Sequence, residues 1–276
     1  LTQPRQERQQ QRLQAQQREI QELVAEQQEI HDAFQAEIDK YSQSPLQKAI
    51  SEGNLRVVEK LVAEGVPLIH PNSHLGSGDF YHLDGYLFQA ICSEYPALMV
   101  QALVKSPHIA DVINVSGPHN MTPLHAALMD SSLSKSDLVV IVSALVAAGA
   151  SLQPRMPIYE QTVLHFAADR IHDVRILEIL LRGKHVQNVI DLLDQDNETP
   201  IGLAMLKKDI DKIQLLAAAG ASLTSSRQAS FTSLRKGGTL LHYAVLRFDD
   251  LQFFESLLQI KEVQDVINST NDDGET

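Results

Sequence analysis

Thr122, Thr199 and Thr276 stand 77 residues apart, and Thr162 and Thr239 repeat that step. The segments around them are alike: TPLHAAL from Thr122, TVLHFAA from Thr162, TPIGLAM from Thr199 and TLLHYAV from Thr239. A chain that repeats itself at such a period builds a solenoid, because each unit buries its apolar face only against its neighbours. Aligned on the third position, the segments give Leu46, Leu87, Leu124, Leu164, Ile201 and Leu241. The sixth position is alanine each time: Ala49, Ala90, Ala127, Ala167, Ala204 and Ala244. Six units follow, starting near residues 44, 85, 122, 162, 199 and 239, at spacings of 41, 37, 40, 37 and 40. The alternation means that the units come in unlike pairs.

The second half of each unit carries the same pairing. Units one, three and five end in EKLVAEGV (from Glu59), SALVAAGA (from Ser143) and QLLAAAGA (from Gln214). Gly65, Gly149 and Gly220 are placed to stop those helices in a left-handed cap. Units two, four and six instead run through Val-Ile pairs at Ile113, Ile190 and Ile267, and Leu103, Leu180 and Leu257 keep the same 77-residue step. The short motif has a physical reading. Thr is a good N-cap because its hydroxyl accepts from first-turn N–H groups. Pro at the next position gives up an N–H that has no helical partner. The following Leu points inward, and the alanine is small where two helices approach. A second apolar run, such as DVRILEILL from Asp173, has the 3.6-residue period of an amphipathic helix. Each unit is therefore expected to be helix, turn, helix and connecting loop.

These residues resemble the ankyrin repeat, whose pattern is Thr-Pro-Leu-His, then alanine, then a second helix ending in Leu-Leu and Gly-Ala. The match is strong at TPLHAAL, good at TVLHFAA and TLLHYAV, and weaker at SPLQKAI (from Ser44) and TPIGLAM; at Gly85 to Phe88 only the Leu and the later alanine survive. The resemblance covers residues 44–276. It implies an all-α fold: an ankyrin-repeat solenoid of about six helix-turn-helix units, preceded here by a long N-terminal helix. It also implies a concave surface that binds other proteins, with no enzymatic activity and no cofactor. The diverged units, Gln-rich start and long loops resemble the style of ankyrin effectors that intracellular bacteria deliver into the host cytosol; a eukaryotic cytoplasmic adaptor is the alternative.

Residues 1–43 are a different material, with thirteen glutamines. Leu13, Ile20, Leu23, Val24, Ile30, Phe34, Ile38 and Tyr41 form one apolar stripe on a helix. Several readings compete: a coiled-coil arm that pairs with a partner or with its own copy, a cap over the first repeat, and low-complexity disorder before Arg18. Both ends look cut. The chain starts at Leu1 rather than Met, and NDDGET at its end parallels DQDNET before Thr199, so a seventh unit is expected to begin at Thr276.

The formal charge of -12 argues against nonspecific binding to nucleic acid, which needs clustered Lys and Arg. It also disfavours an anionic membrane surface. One cysteine, Cys92, rules out a disulfide framework and suits a reducing, cytoplasmic setting. No apolar run is long enough to cross a bilayer.

Chemistry finds little support. His125, His165 and His242 take the fourth position of three units, which points to a repeated structural hydrogen bond. The stretch from Val66 to Asp84 holds His70, His74, His82 and Asp79, yet without a tight ligand-pair pattern, so no metal site is assigned. Cys92 with His82 lacks the setting of a nucleophile and base, and GxSxG, HExxH and phosphate-cradling glycine loops are absent.

Function is expected instead at the variable edge. The ninth positions are Glu52, Ser93, Asp130, Arg170, Lys207 and Arg247, acidic toward one end and basic toward the other. Such a gradient orients a partner and speeds its encounter. The stretch Asp130 to Asp137 would lengthen one turn toward the partner. Met121, Gln161 and Glu198, before the motif threonines, are expected at loop tips as added contacts. The leading function is a protein-recognition scaffold. The alternatives are a targeting arm of an enzyme whose catalytic domain lies beyond residue 276, and an assembly protein that self-associates through residues 1–43.

Overall fold

The structure, a computed structural model, describes residues 44–68, 85–117, 121–156, 159–224 and 239–270. The chain divides into two compact units, Leu1–Lys48 and Ala49–Thr276. The expected N-terminal helix, most of the loop from Val66 to Asp84 and the start of a seventh unit lie outside the described residues.

The described residues form α-helices and one 3-10 turn, with no strand among them. The helices come in pairs. The first of each pair are α1 (Pro45–Ser51), α3 (Tyr86–Ile91), α6 (Pro123–Met129), α8 (Val163–Arg170), α10 (Pro200–Leu206) and α12 (Leu240–Arg247). Their partners are α2 (Leu55–Ala63), α4 (Pro96–Leu103), α7 (Lys135–Ala147), α9 (Val174–Leu181), α11 (Ile210–Ala218) and α13 (Leu251–Leu257). Even-numbered units add a short piece: α5 (Ile109–Val112), the 3-10 turn Val186–Asn188 and α14 (Lys261–Val266).

Packing is serial within the larger unit. The first helices touch in the order α3, α6, α8, α10, α12, and the second in the order α2, α4, α7, α9, α11, α13. Each row leans only on its neighbours, as a solenoid requires. The motif alanines are all buried. The seventh position shows the stacking directly. Ile50, Ile91, Leu128, Ala168 and Met205 are at most 4% exposed, whereas Val245, in the last unit, is 65% exposed. Ile113 and Ile190 are likewise buried, and Ile267 is not.

Caps set the helix ends. The backbone N–H groups of Thr122, Thr162 and Thr239 donate to Nδ1 of His125, His165 and His242 at 3.4, 3.2 and 3.2 Å. This is the repeated structural bond expected of those histidines. Gly65, Gly149 and Gly220 adopt φ of +75°, +97° and +94°, where a Cβ would be strained. The next residue's N–H then reaches back five residues: Val66 to Leu61 O, Ala150 to Leu145 O and Ala221 to Leu216 O. That is the Schellman closure. Even units hold the odd units that follow them. Asn114 Oδ1 accepts from Ser151 N at 2.7 Å, and 77 residues on Asp191 Oδ1 accepts from Ser222 N at 2.8 Å.

Candidate partner-binding face

The C-terminal ends of the first helices and the loops that precede them meet on one side of the stack, called here the inner face. Its register is visible in two pairs that are themselves 77 residues apart. Lys207 Nζ lies 3.0 Å from Asp169 Oδ1, joining the ninth position of unit five to the eighth of unit four. Asp130, ninth in unit three, lies close enough to Cys92, eighth in unit two, to push that thiol's pKa up after partial burial has done so. Ninth positions of successive units therefore share a face.

Around Arg170 the face becomes a built cluster. Its Nε donates to Asp169 Oδ2 at 3.3 Å. Its guanidinium lies 5.4 Å from the ring centroid of Phe166 and 5.9 Å from that of Tyr159. Tyr159 belongs to the loop before unit four and is exposed, so loop and helix end converge on one cation. Stacking of this kind holds a guanidinium while leaving its edge to solvent. In unit six, Arg247 is exposed. Lys208 pairs with Asp250 at 2.8 Å and lies 5.1 Å from the Phe248 ring.

The other ninth positions differ. Glu52 is exposed. Ser93 is half-buried and donates its hydroxyl to Ala90 O at 2.7 Å. Asp130 accepts from the backbone N–H of Ser132 at 2.8 Å. Of the stretch from Asp130 to Asp137, only the first half is turn. Ser134 caps α7 and accepts from Asp137 N at 3.0 Å, so the rest begins a 13-residue helix.

The loop-tip expectation needs correction. Met121 is half-buried, and Gln161 and Glu198 are buried, at 8% and 7% exposure. Gln161 and Glu198 sit in the seam between units four and five. Gln161 Nε2 donates to Asp194 Oδ2 at 3.2 Å, and Asp194 Oδ1 accepts from Glu198 N at 3.0 Å. His165 accepts at Nδ1, so its Nε2 carries the proton and donates to Glu198 O at 3.1 Å. Lys212, 2% exposed, crosses the same seam to donate to Ala168 O at 2.9 Å.

Glu198 explains an irregularity in the motif. Unit five has Gly202 where units three, four and six have histidine. A Cβ on Gly202 would meet Glu198 Oε2 at 2.7 Å. The glutamate carboxyl thus occupies space that an imidazole takes elsewhere. Burial, then Asp194 and Asp196, push its pKa up to about 7. In unit three the inter-unit bond is missing. His125 Nε2 and Gln161 Oε1 are both buried with no hydrogen-bond partner among the described residues. Burial lowers the pKa of His125 to about 4.

Sequence reasoning missed Asp169, Tyr159 and Phe166. The available signal was an acidic eighth position beside a basic ninth one in unit four. Among the described residues no group of His, Cys, Asp and Glu could hold a metal ion, and no helix is long and apolar enough to cross a membrane.

No family model matches the chain. It is 29% identical over 192 residues to the nuclear factor NF-kappa-B p105 subunit of Rattus norvegicus, covering 69% of this chain and 19% of that protein. It is 34% identical over 89 residues to the ANK repeat-containing protein nipk-1 of Caenorhabditis elegans, covering 32% of this chain and 13% of that protein. The chain thus spans less than a fifth of the length of these curated relatives. In fold it is similar to the ankyrin repeat domain of Bcl-3, a member of the IkappaB protein family, with a TM-score of 0.53 at 20% identity over 85% of this chain and 92% of that one. Motif, serial stacking and these similarities together give this chain the ankyrin-repeat fold and homology to ankyrin-repeat proteins.

Proposed function

We propose that the chain is a non-catalytic protein-recognition scaffold whose inner face receives a partner protein. One observation carries this reading. Tyr159, Asp169, Arg170 and Lys207, with the buried Phe166 beneath, form a single cluster that bridges a loop and two units and reaches solvent. Such amphipathic, pre-oriented groups are what protein interfaces use as anchors. The opposite side offers mainly second helices with scattered exposed residues such as Leu98. The similarity to a subunit of NF-kappa-B and to an IkappaB protein supports the reading, since a subunit acts by association with other chains. Residues proposed to contact the partner are Glu52, Ser93, Asp130, Arg170, Lys207 and Arg247, with Met121 at the rim. Gln161 and Glu198 contribute from beneath, by holding the seam.

A photo-crosslinking residue in place of Met129, exposed at the eighth position of unit three, tests this. It is expected to trap a discrete partner from cell lysate, while the same residue in place of Leu98 on α4 does not. Equal trapping from both positions would sink the inner-face assignment. The targeting-arm and self-association readings draw on residues outside the described ones.

A further inference from the structure

Building on the scaffold reading, we infer that units four to six take an extended acidic segment of the partner protein, with one carboxylate received by the two terminal nitrogens of Arg170. Arg170 is held from three sides. Asp169 takes its Nε, and its guanidinium carbon lies over the rings of Phe166 and Tyr159. Its side chain is still 52% exposed, and Nη1 and Nη2 have no partner among the described residues. That is the edge with which a guanidinium grips a carboxylate through two parallel hydrogen bonds.

The balance of charge agrees. Asp169 is one anion shared by two cations, Arg170 and Lys207, so the cluster keeps a net positive charge. Asp169 thereby orients both cations without cancelling them. Further along, Lys208 is spent on Asp250, whereas Arg247 has no ion-pair partner among the described residues. This strip stands within a protein of formal charge -12, so an acidic ligand is repelled elsewhere and drawn here. Toward the other end, Glu52 and Asp130 would repel the same segment, which fixes its position along the stack.

The test is fluorescence anisotropy with a fluorescein-labelled Gly-Glu-Glu-Tyr-Glu-Glu-Gly peptide, against the same peptide with Gln for every Glu. The full chain is expected to bind the acidic probe, more weakly as salt rises, and not the Gln probe. Arg170→Lys keeps the charge but loses the fork and the stacking, so affinity should fall about tenfold, as for loss of a bidentate pair. Lys207→Gln should weaken binding less. Lys60→Gln, on α2 of the opposite row, should change nothing. Equal thermal melts keep the variants comparable. Full affinity in Arg170→Lys would overturn the fork, and equal binding of both probes, or of neither, would overturn the acidic segment. In those cases continued crosslinking from position 129 would leave the scaffold reading intact.

Discussion

Replacing Glu198 with Gln probes the seam beneath the inner face. The carboxyl of Glu198 is pushed up from 4.5 to about 7, first by burial and then by Asp194 and Asp196. At 1.36 kcal/mol per pH unit, that gap corresponds to a penalty of about 3 kcal/mol when the group is charged in the folded state. Between pH 4.5 and 7 the unfolded chain has released this proton while the native chain holds it. The native state then binds more protons, so stability falls as pH rises through this window. Above the window the full penalty stands, and below it none does. Gln keeps the size and stays neutral. The variant should be more stable than the parent by about 3 kcal/mol at pH 8, shrinking to less than about 1 kcal/mol at pH 5. For a domain of this size the melting temperature would rise by roughly 6–10 °C at pH 8. Urea midpoints of both proteins at pH 5, 6, 7 and 8 give the difference directly. A difference that stays constant across the series, or one that favours the parent at pH 8, would refute the buried-carboxyl account.

Gly202→His should destabilise by about 1–3 kcal/mol through overpacking, and Glu198→Ala in the same chain should recover most of that loss, because it empties the shared space; two additive losses in thermal melts would argue against that sharing. Lys212→Met should cost about 1–3 kcal/mol by leaving Ala168 O unpaired in the seam, and an unchanged urea midpoint would exclude the bond. His125, lowered to about 4 by burial, should weaken the fold as pH falls from 6.5 toward 4, since the unfolded chain takes up the proton first. In His125→Gln that acid limb should flatten in a pH series of melts, and an identical limb would place the effect elsewhere.

Much of this fold could be read from spacing alone. The threonine caps, the buried alanines and the three glycine stops are local devices, each needing only a few neighbouring residues to act, so they leave a mark at a fixed step. The pairing of units was legible for the same reason, and Asn114 and Asp191 give it a hydrogen-bonded basis. What stayed hidden depends on contacts between units. Nothing in TPIGLAM says that the missing imidazole is replaced by the side chain of Glu198, because the replacement enters through space left by Gly202. Position before a motif threonine suggested a loop tip, but Gln161 and Glu198 turn inward to meet Asp194 and His165. The basic end of the inner face was visible as Arg170 and Lys207. Its organisation was not, because Asp169 reaches Lys207, 38 positions away, in the next unit.

The seams are unequal in their hydrogen bonding. Units four and five are riveted by His165, Gln161 and Lys212, while at the joint of three and four His125 Nε2 has no partner among the described residues and the matching acceptor, Gln161 O, takes the N–H of Met156 instead. A partner protein that reaches from Met129 to Lys207 crosses that joint and would act as a splint, so occupancy would be felt as stiffness along the stack as well as affinity at one spot.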